Sequence, residues 1–97
     1  MPSYILLARF TQQGVERIED GPARIEAARK TLESLGGKLE SIYLTMGRYD
    51  SVAIIDAPND EAAAKFSIAV GAQGNVKIES LRAFNEQEYE KIVTSLP

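Results

Sequence analysis

The sequence contains no cysteine and no histidine. The first absence excludes disulfides, thiol nucleophiles and thiolate metal sites. The second excludes an imidazole base, a Ser-His-Asp triad, histidine-ligated zinc and a proximal-histidine haem. A cluster of Lys or Arg is also missing, and the net charge is -3 with a pI near 4.9. Without a basic face to neutralise phosphates, no nucleic-acid partner is expected. The longest apolar run, Tyr4 to Ala8, falls far short of the roughly 20 residues of a membrane span. With no export signal before it, the expectation is a cytoplasmic protein with no membrane partner. Asp56 and Asp60 are separated by the Pro58 turn and do not suggest a metal cage, so neither a metal nor a cofactor is expected.

What is present is an ordinary globular composition, 44% hydrophobic and 26% charged over 97 residues, which suits one domain spanning 1–97. Tyr4 to Phe10 is short, apolar and rich in strand formers, and ends at Thr11-Gln12-Gln13-Gly14. Its continuous apolarity, broken only by Arg9, predicts a central strand. Val15 to Glu19 is read as a short turn of helix. Pro22 then suits a first helical position with Gly21 or Asp20 as cap, and Ile25, Ala28, Leu32 and Leu35 recur at helical spacing until Gly36-Gly37 stops the helix.

Lys38 to Met46 and Ser51 to Asp56 predict a hairpin turned at Gly47-Arg48-Tyr49-Asp50. Asn59 or Asp60 caps a second helix bearing Ala63, Phe66 and Val70, which ends in the Gly71 to Gly74 region. Asn75 to Phe84 is the fourth strand, and Asn85-Glu86-Gln87-Glu88 caps a last helix carrying Tyr89, Ile92, Val93 and Leu96.

The order β-α-β-β-α-β with a C-terminal helix predicts an α+β ferredoxin-like sandwich. Its four-stranded antiparallel sheet, in the order 4-1-3-2, carries the helices on one face. The first strand alternates Ile5 and Leu7 with Tyr4, Leu6, Ala8 and Phe10, so an apolar face remains whichever side the helices take. Leaving it wet is costly at about 25 cal/mol per Å². The expected partner is therefore a second copy of the chain, in a homodimer or higher homo-oligomer formed through the open sheet face.

Phe10-Thr11-Gln12-Gln13-Gly14, Pro22-Ala23-Arg24, Leu35-Gly36-Gly37, Tyr43 to Asp50, Ala57-Pro58 and Gly74-Asn75-Val76 occur in that order. Together they resemble the GYD-domain family, whose Gly-x-Tyr-Asp is matched by Gly47, Tyr49 and Asp50. Its Thr-x-x-Gly is matched by Thr11 and Gly14, and its Arg-Ala-Phe by Arg82, Ala83 and Phe84. The resemblance covers about Tyr4 to Phe84. It implies a ferredoxin-like fold similar to the dimeric α/β-barrel proteins and a family widespread in bacteria, but no defined activity.

Several residues are candidate ligand contacts, each beside an ordinary structural reading. Tyr49 and Asp50 can offer a phenol donor and a carboxylate at a cavity mouth. Equally, Gly47 can supply an unusual backbone angle while Asp50 bonds turn amides. Arg9 and Arg82 suit an anion site, although they come from opposite ends of their strands. An Arg9–Glu79 cross-strand pair is the plainer expectation. Thr11 and Gln12 lie in a polar loop that either binds a ligand or simply connects. Gly71-Ala72-Gln73-Gly74 lacks the lysine of a phosphate loop and reads as a helix end.

Two function classes follow. One is a homo-oligomeric small-ligand-binding or structural module, whose apolar cavity takes a small organic ligand. The other is a cofactor-independent enzyme of the dimeric α/β-barrel type. It would use Tyr49 and Asp50, with Arg9 or Arg82, for proton transfer on a small organic substrate.

Overall fold

A computed structural model describes all 97 residues. The elements follow the order β1 (Ser3–Phe10), α1 (Gln12–Glu16), a 3-10 turn (Ile18–Asp20), α2 (Gly21–Ser34), β2 (Lys38–Leu44), β3 (Ser51–Asp56), α3 (Asp60–Ala72), β4 (Val76–Ala83) and α4 (Glu86–Thr94). The sheet order is β2-β3-β1-β4, and all neighbours are antiparallel. This is the ferredoxin-like arrangement expected, with β1 central. No helix is long and apolar enough to cross a membrane.

The caps explain where the helices begin. Asn59 accepts the Ala62 amide at 2.9 Å, and Asn85 forms a reciprocal capping box with Glu88, each satisfying amides that the first turn leaves unpaired. Asp20 precedes α2 without a side-chain cap bond, and Pro22 fills the first turn instead. The stretch after β1 is more helical than its sequence suggests. Thr11 caps α1 by accepting the Gly14 amide at 3.1 Å, so helix starts at Gln12 rather than Val15. Gly14 is required there by close approach, because a Cβ on it would lie 2.1 Å from the Asn75 carbonyl oxygen.

Strand alternation divides the sheet into two unlike faces. Tyr4, Leu6 and Ala8 point under the helices and are buried. They join Leu32 of α2, Ile55 of β3, and Ala62, Ala63 and Phe66 of α3 in the core. The opposite face carries Ile5 and Leu7 of β1, paired with Ile54 and Val52 of β3 and flanked by Leu81 of β4. Nothing in the chain covers that face, and its apolar side chains remain half-buried or exposed. Only 10 of the 97 residues are buried, so the core is small for the apolar surface the chain carries. Helix α4 exposes Tyr89, Ile92 and Val93, and because it ends at Thr94 with Ser95 as its C-cap, the exposed Leu96 lies beyond it rather than on it as expected.

Candidate functional site

Between α2 and the helix-side face of the sheet lies a cavity of about 390 Å³. Its origin is visible in the side-chain sizes. Toward the C-terminal end of α2, Leu32 packs tightly with Ile55 and Phe66. Toward the N-terminal end, Gly21, Pro22 and Ala28 face Ala8 and Ala53 of the sheet, and residues this small cannot fill the gap between helix and strands. Leu6, Ile25, Leu39, Ile42, Val70 and Ile78 complete an apolar wall.

The polar side chains of the lining are few: Arg24, Ser51, Gln73 and Asn75. Ser51 stands opposite Ala8, and Asn75 precedes Val76, the partner of Phe10. The polar groups therefore gather where β1 ends. Arg24 is the only charged residue of the lining. Its two terminal nitrogens donate to the carbonyls of Gly14 at 3.0 Å and Arg17 at 2.8 Å. This half-buried guanidinium forms no ion pair; the chain's ion pairs involve Arg17, Arg29, Lys38 and Lys65.

The sequence-derived candidates lie outside this lining except by proximity. At the β2–β3 hairpin, Gly47 adopts φ +109° with open space around it, so its need for glycine is conformational rather than steric. The Asp50 amide donates to the Ala8 carbonyl at 2.8 Å, and the Asp50 carboxylate accepts the Phe10 amide at 2.8 Å. Thr45 closes the tip, its amide donating to the Asp50 carbonyl and its hydroxyl to the Tyr49 carbonyl. Tyr49 turns to the open sheet face. There its hydroxyl meets the Glu79 carboxylate at 3.1 and 3.2 Å, and the Arg9 guanidinium lies 5.1 Å from its ring centre. The Tyr49 ring thus occupies the position expected of a direct Arg9–Glu79 ion pair, which does not form. Arg9 stands opposite Lys77 in the register.

Thr11 is held by Gly74, to whose carbonyl its hydroxyl donates at 2.5 Å, while Gln12 is exposed. Arg82 stands opposite Tyr4, far along β4 from Arg9, so the two arginines do not share a site. Arg82 donates to the carbonyls of Ser3 and Ala83 and lies over the rings of Phe84 and Tyr4. The buried Tyr4 hydroxyl donates to Asp60 at 2.5 Å. Burial above all, then the Asp60 hydrogen bond and charge, push the Tyr4 phenol pKa up, against a smaller lowering by Arg82.

Neither Tyr49 nor Asp50 lines the apolar cavity, whereas Arg24 does. Arg24 was not among the sequence-derived candidates. Its signal lay in the spacing: Arg24, Ala28 and Leu32 are four residues apart on one helix face, so a cation continues the stripe that faces the sheet.

Comparison with known proteins agrees with this architecture. Residues 4–93 match the GYD domain. A Thermus thermophilus protein described as a glutamine synthetase and cystathionine beta-lyase binding protein is 30% identical over 84 residues, covering 86% of this chain and 88% of the relative. Among solved structures, the leucine response regulatory protein of Mycobacterium tuberculosis superposes with a TM-score of 0.65 at 19% identity. The match covers 87% of this chain but only 51% of that one, so the chain spans about half its length. The 5-chloro-2-hydroxyhydroquinone dehydrochlorinase of Burkholderia phenoliruptrix superposes with a TM-score of 0.61 at 16% identity, covering 90% and 97% of the two chains. These structural likenesses show the fold alone. The chain belongs to the GYD domain family.

Proposed function

We propose that this GYD-domain protein is a cytoplasmic, homo-oligomeric module that binds a small organic ligand between α2 and the sheet. The observation that carries the reading is the apolar cavity of about 390 Å³, within the size range of small-molecule sites and lined as they are, by apolar walls with a few polar groups. A void of this size lined by aliphatic side chains forfeits packing contacts unless something fills it. Subunit association through Ile5, Leu7, Val52, Ile54 and Leu81 would cover the second apolar face. Tyr49, Arg9 and Glu79 would form its polar rim, which is the role proposed for that hairpin. Asp50 supports the module over the enzyme, since its carboxylate is engaged by the Phe10 amide instead of entering the cavity.

Native mass spectrometry of the protein purified from its own host tests both parts. The expected result is an oligomer of the 10.6 kDa chain carrying a small-molecule mass increment. A bare chain at every concentration would oppose the reading.

A second reading is favoured by the exposed Tyr89, Ile92 and Val93 of α4 and by the relative described as binding two enzymes. In it, α4 docks on another protein. Hydrogen exchange on the purified chain tests it: rapid exchange across α4 is expected of a surface left free for another protein, and protection of α4 would assign that surface to self-assembly instead.

A further inference from the structure

Resting on the ligand-binding reading of the cavity, the geometry points to the class of ligand: we infer that the site takes an organic carboxylate with an apolar body, its carboxylate held by Arg24. The cavity lining contains one cation and no anion. A guanidinium has five N–H donors. Arg24 directs one from each terminal nitrogen to the Gly14 and Arg17 carbonyls, which leaves three without a protein acceptor. These two carbonyls fix the guanidinium plane while leaving its charge uncompensated. A half-buried cation beside apolar walls is costly unless an anion joins it. Arginine's planar fork suits a carboxylate in a bidentate contact.

The remaining polar groups agree with this placement. Gln73 and Asn75 lie at the same end of the cavity as Arg24, where Gly14 of α1 packs against the Asn75 backbone. Ligand polarity is thereby assigned an end: the carboxylate near the α1 turn, the hydrocarbon or aromatic body between Ile25, Ala28, Ile42 and Ala53. Size sets a second limit. A cavity of about 150 Å³ takes a benzene ring, so 390 Å³ accommodates roughly a dozen to sixteen non-hydrogen atoms.

The test uses two probes that differ only in the head group, 4-phenylbutyrate and 4-phenyl-1-butanol, titrated calorimetrically into the full-length protein. The wild type is expected to bind the carboxylate at least about tenfold more tightly than the alcohol, the scale of one charge-assisted contact. Arg24→Met keeps the apolar stem and should abolish that preference while leaving alcohol affinity within about threefold. Arg24→Lys, which keeps the charge, should retain part of it. Because Arg24 also ties down the α1 turn, the Lys variant and the wild-type probe pair decide the matter should the Met variant unfold. Equal binding of the two probes by wild type, or an undiminished preference in Arg24→Met, would overturn the assignment while leaving the cavity reading standing. Binding of neither probe would remove both.

Discussion

The Asp50 carboxylate accepts the Phe10 backbone amide at 2.8 Å, while the Asp50 amide donates to the Ala8 carbonyl. One residue at the hairpin tip therefore extends the β1–β3 ladder past its last strand pair, using its side chain where a backbone carbonyl would otherwise serve. Asp50→Asn keeps the size but removes the charge that strengthens the bond, so unfolding in urea should show a loss of roughly 0.5 to 2 kcal/mol. Tyr49→Phe removes an exposed contact to Glu79 and should stay within about 0.5 kcal/mol of wild type. Equal losses in the two variants would refute the division of roles.

Gly14 is a packing requirement of the α1 turn. Its missing Cβ leaves space for the Asn75 carbonyl, which would otherwise be 2.1 Å away, and both partners are backbone. Gly14→Ala should therefore cost about 3 kcal/mol, the upper part of the overpacking range. It should also disturb the Arg24 contact with the Gly14 carbonyl. Thermal unfolding checks the first effect. A melting temperature unchanged from wild type would contradict the close approach.

Burial and the Asp60 hydrogen bond raise the Tyr4 pKa. The folded state thus favours the neutral phenol, and the unfolded chain releases the proton more readily. This contribution is complete below the ordinary tyrosine pKa of about 10 and is lost as pH rises from there through the higher folded value. Stability measured from pH 8 to 11 should fall more steeply for wild type than for Tyr4→Phe, which has no phenol to ionise. Parallel profiles would show that the tyrosine is not the group responsible.

Ile54 sits at the centre of the uncovered sheet face, opposite Ile5. By sedimentation equilibrium at micromolar concentration, wild type should form a dimer or larger species. Ile54→Lys should shift the population toward the 10.6 kDa chain with its circular dichroism unchanged. A wild type that sediments only as that single chain would reject association through this face.

The fold was legible because several local rules agree at each element: the alternation of β1, the spacing of Ile25, Ala28 and Leu32, and the caps Asn59 and Asn85 all predict what forms. The two-sided apolarity of β1 was also sufficient to expect an uncovered face. The cavity was not legible in the same way. It arises where Ala28 of α2 meets Ala8 and Ala53 of separate strands, and small residues distant in sequence give no periodic signal of a gap. Tyr49 and Asp50 place a phenol beside a carboxylate in the sequence, yet in the hairpin loop the two side chains part, Tyr49 reaching Glu79 and Asp50 the Phe10 amide. The start of α1 carries little local signal, because Thr11, two glutamines and a glycine resemble a loop and are fixed by the tertiary contacts of Thr11 with Gly74 and Asn75.

The most direct measurement titrates 1-aminoanthracene, a neutral apolar fluorophore of suitable size, into wild type and into Ala28→Phe, whose larger side chain fills the space beneath α2. Wild type should bind about one fluorophore per chain with a blue-shifted, enhanced emission. Ala28→Phe should lose at least about tenfold in affinity while keeping the wild-type circular dichroism. Equal binding by the two proteins, or no saturable binding by wild type, would contradict a ligand site between α2 and the sheet.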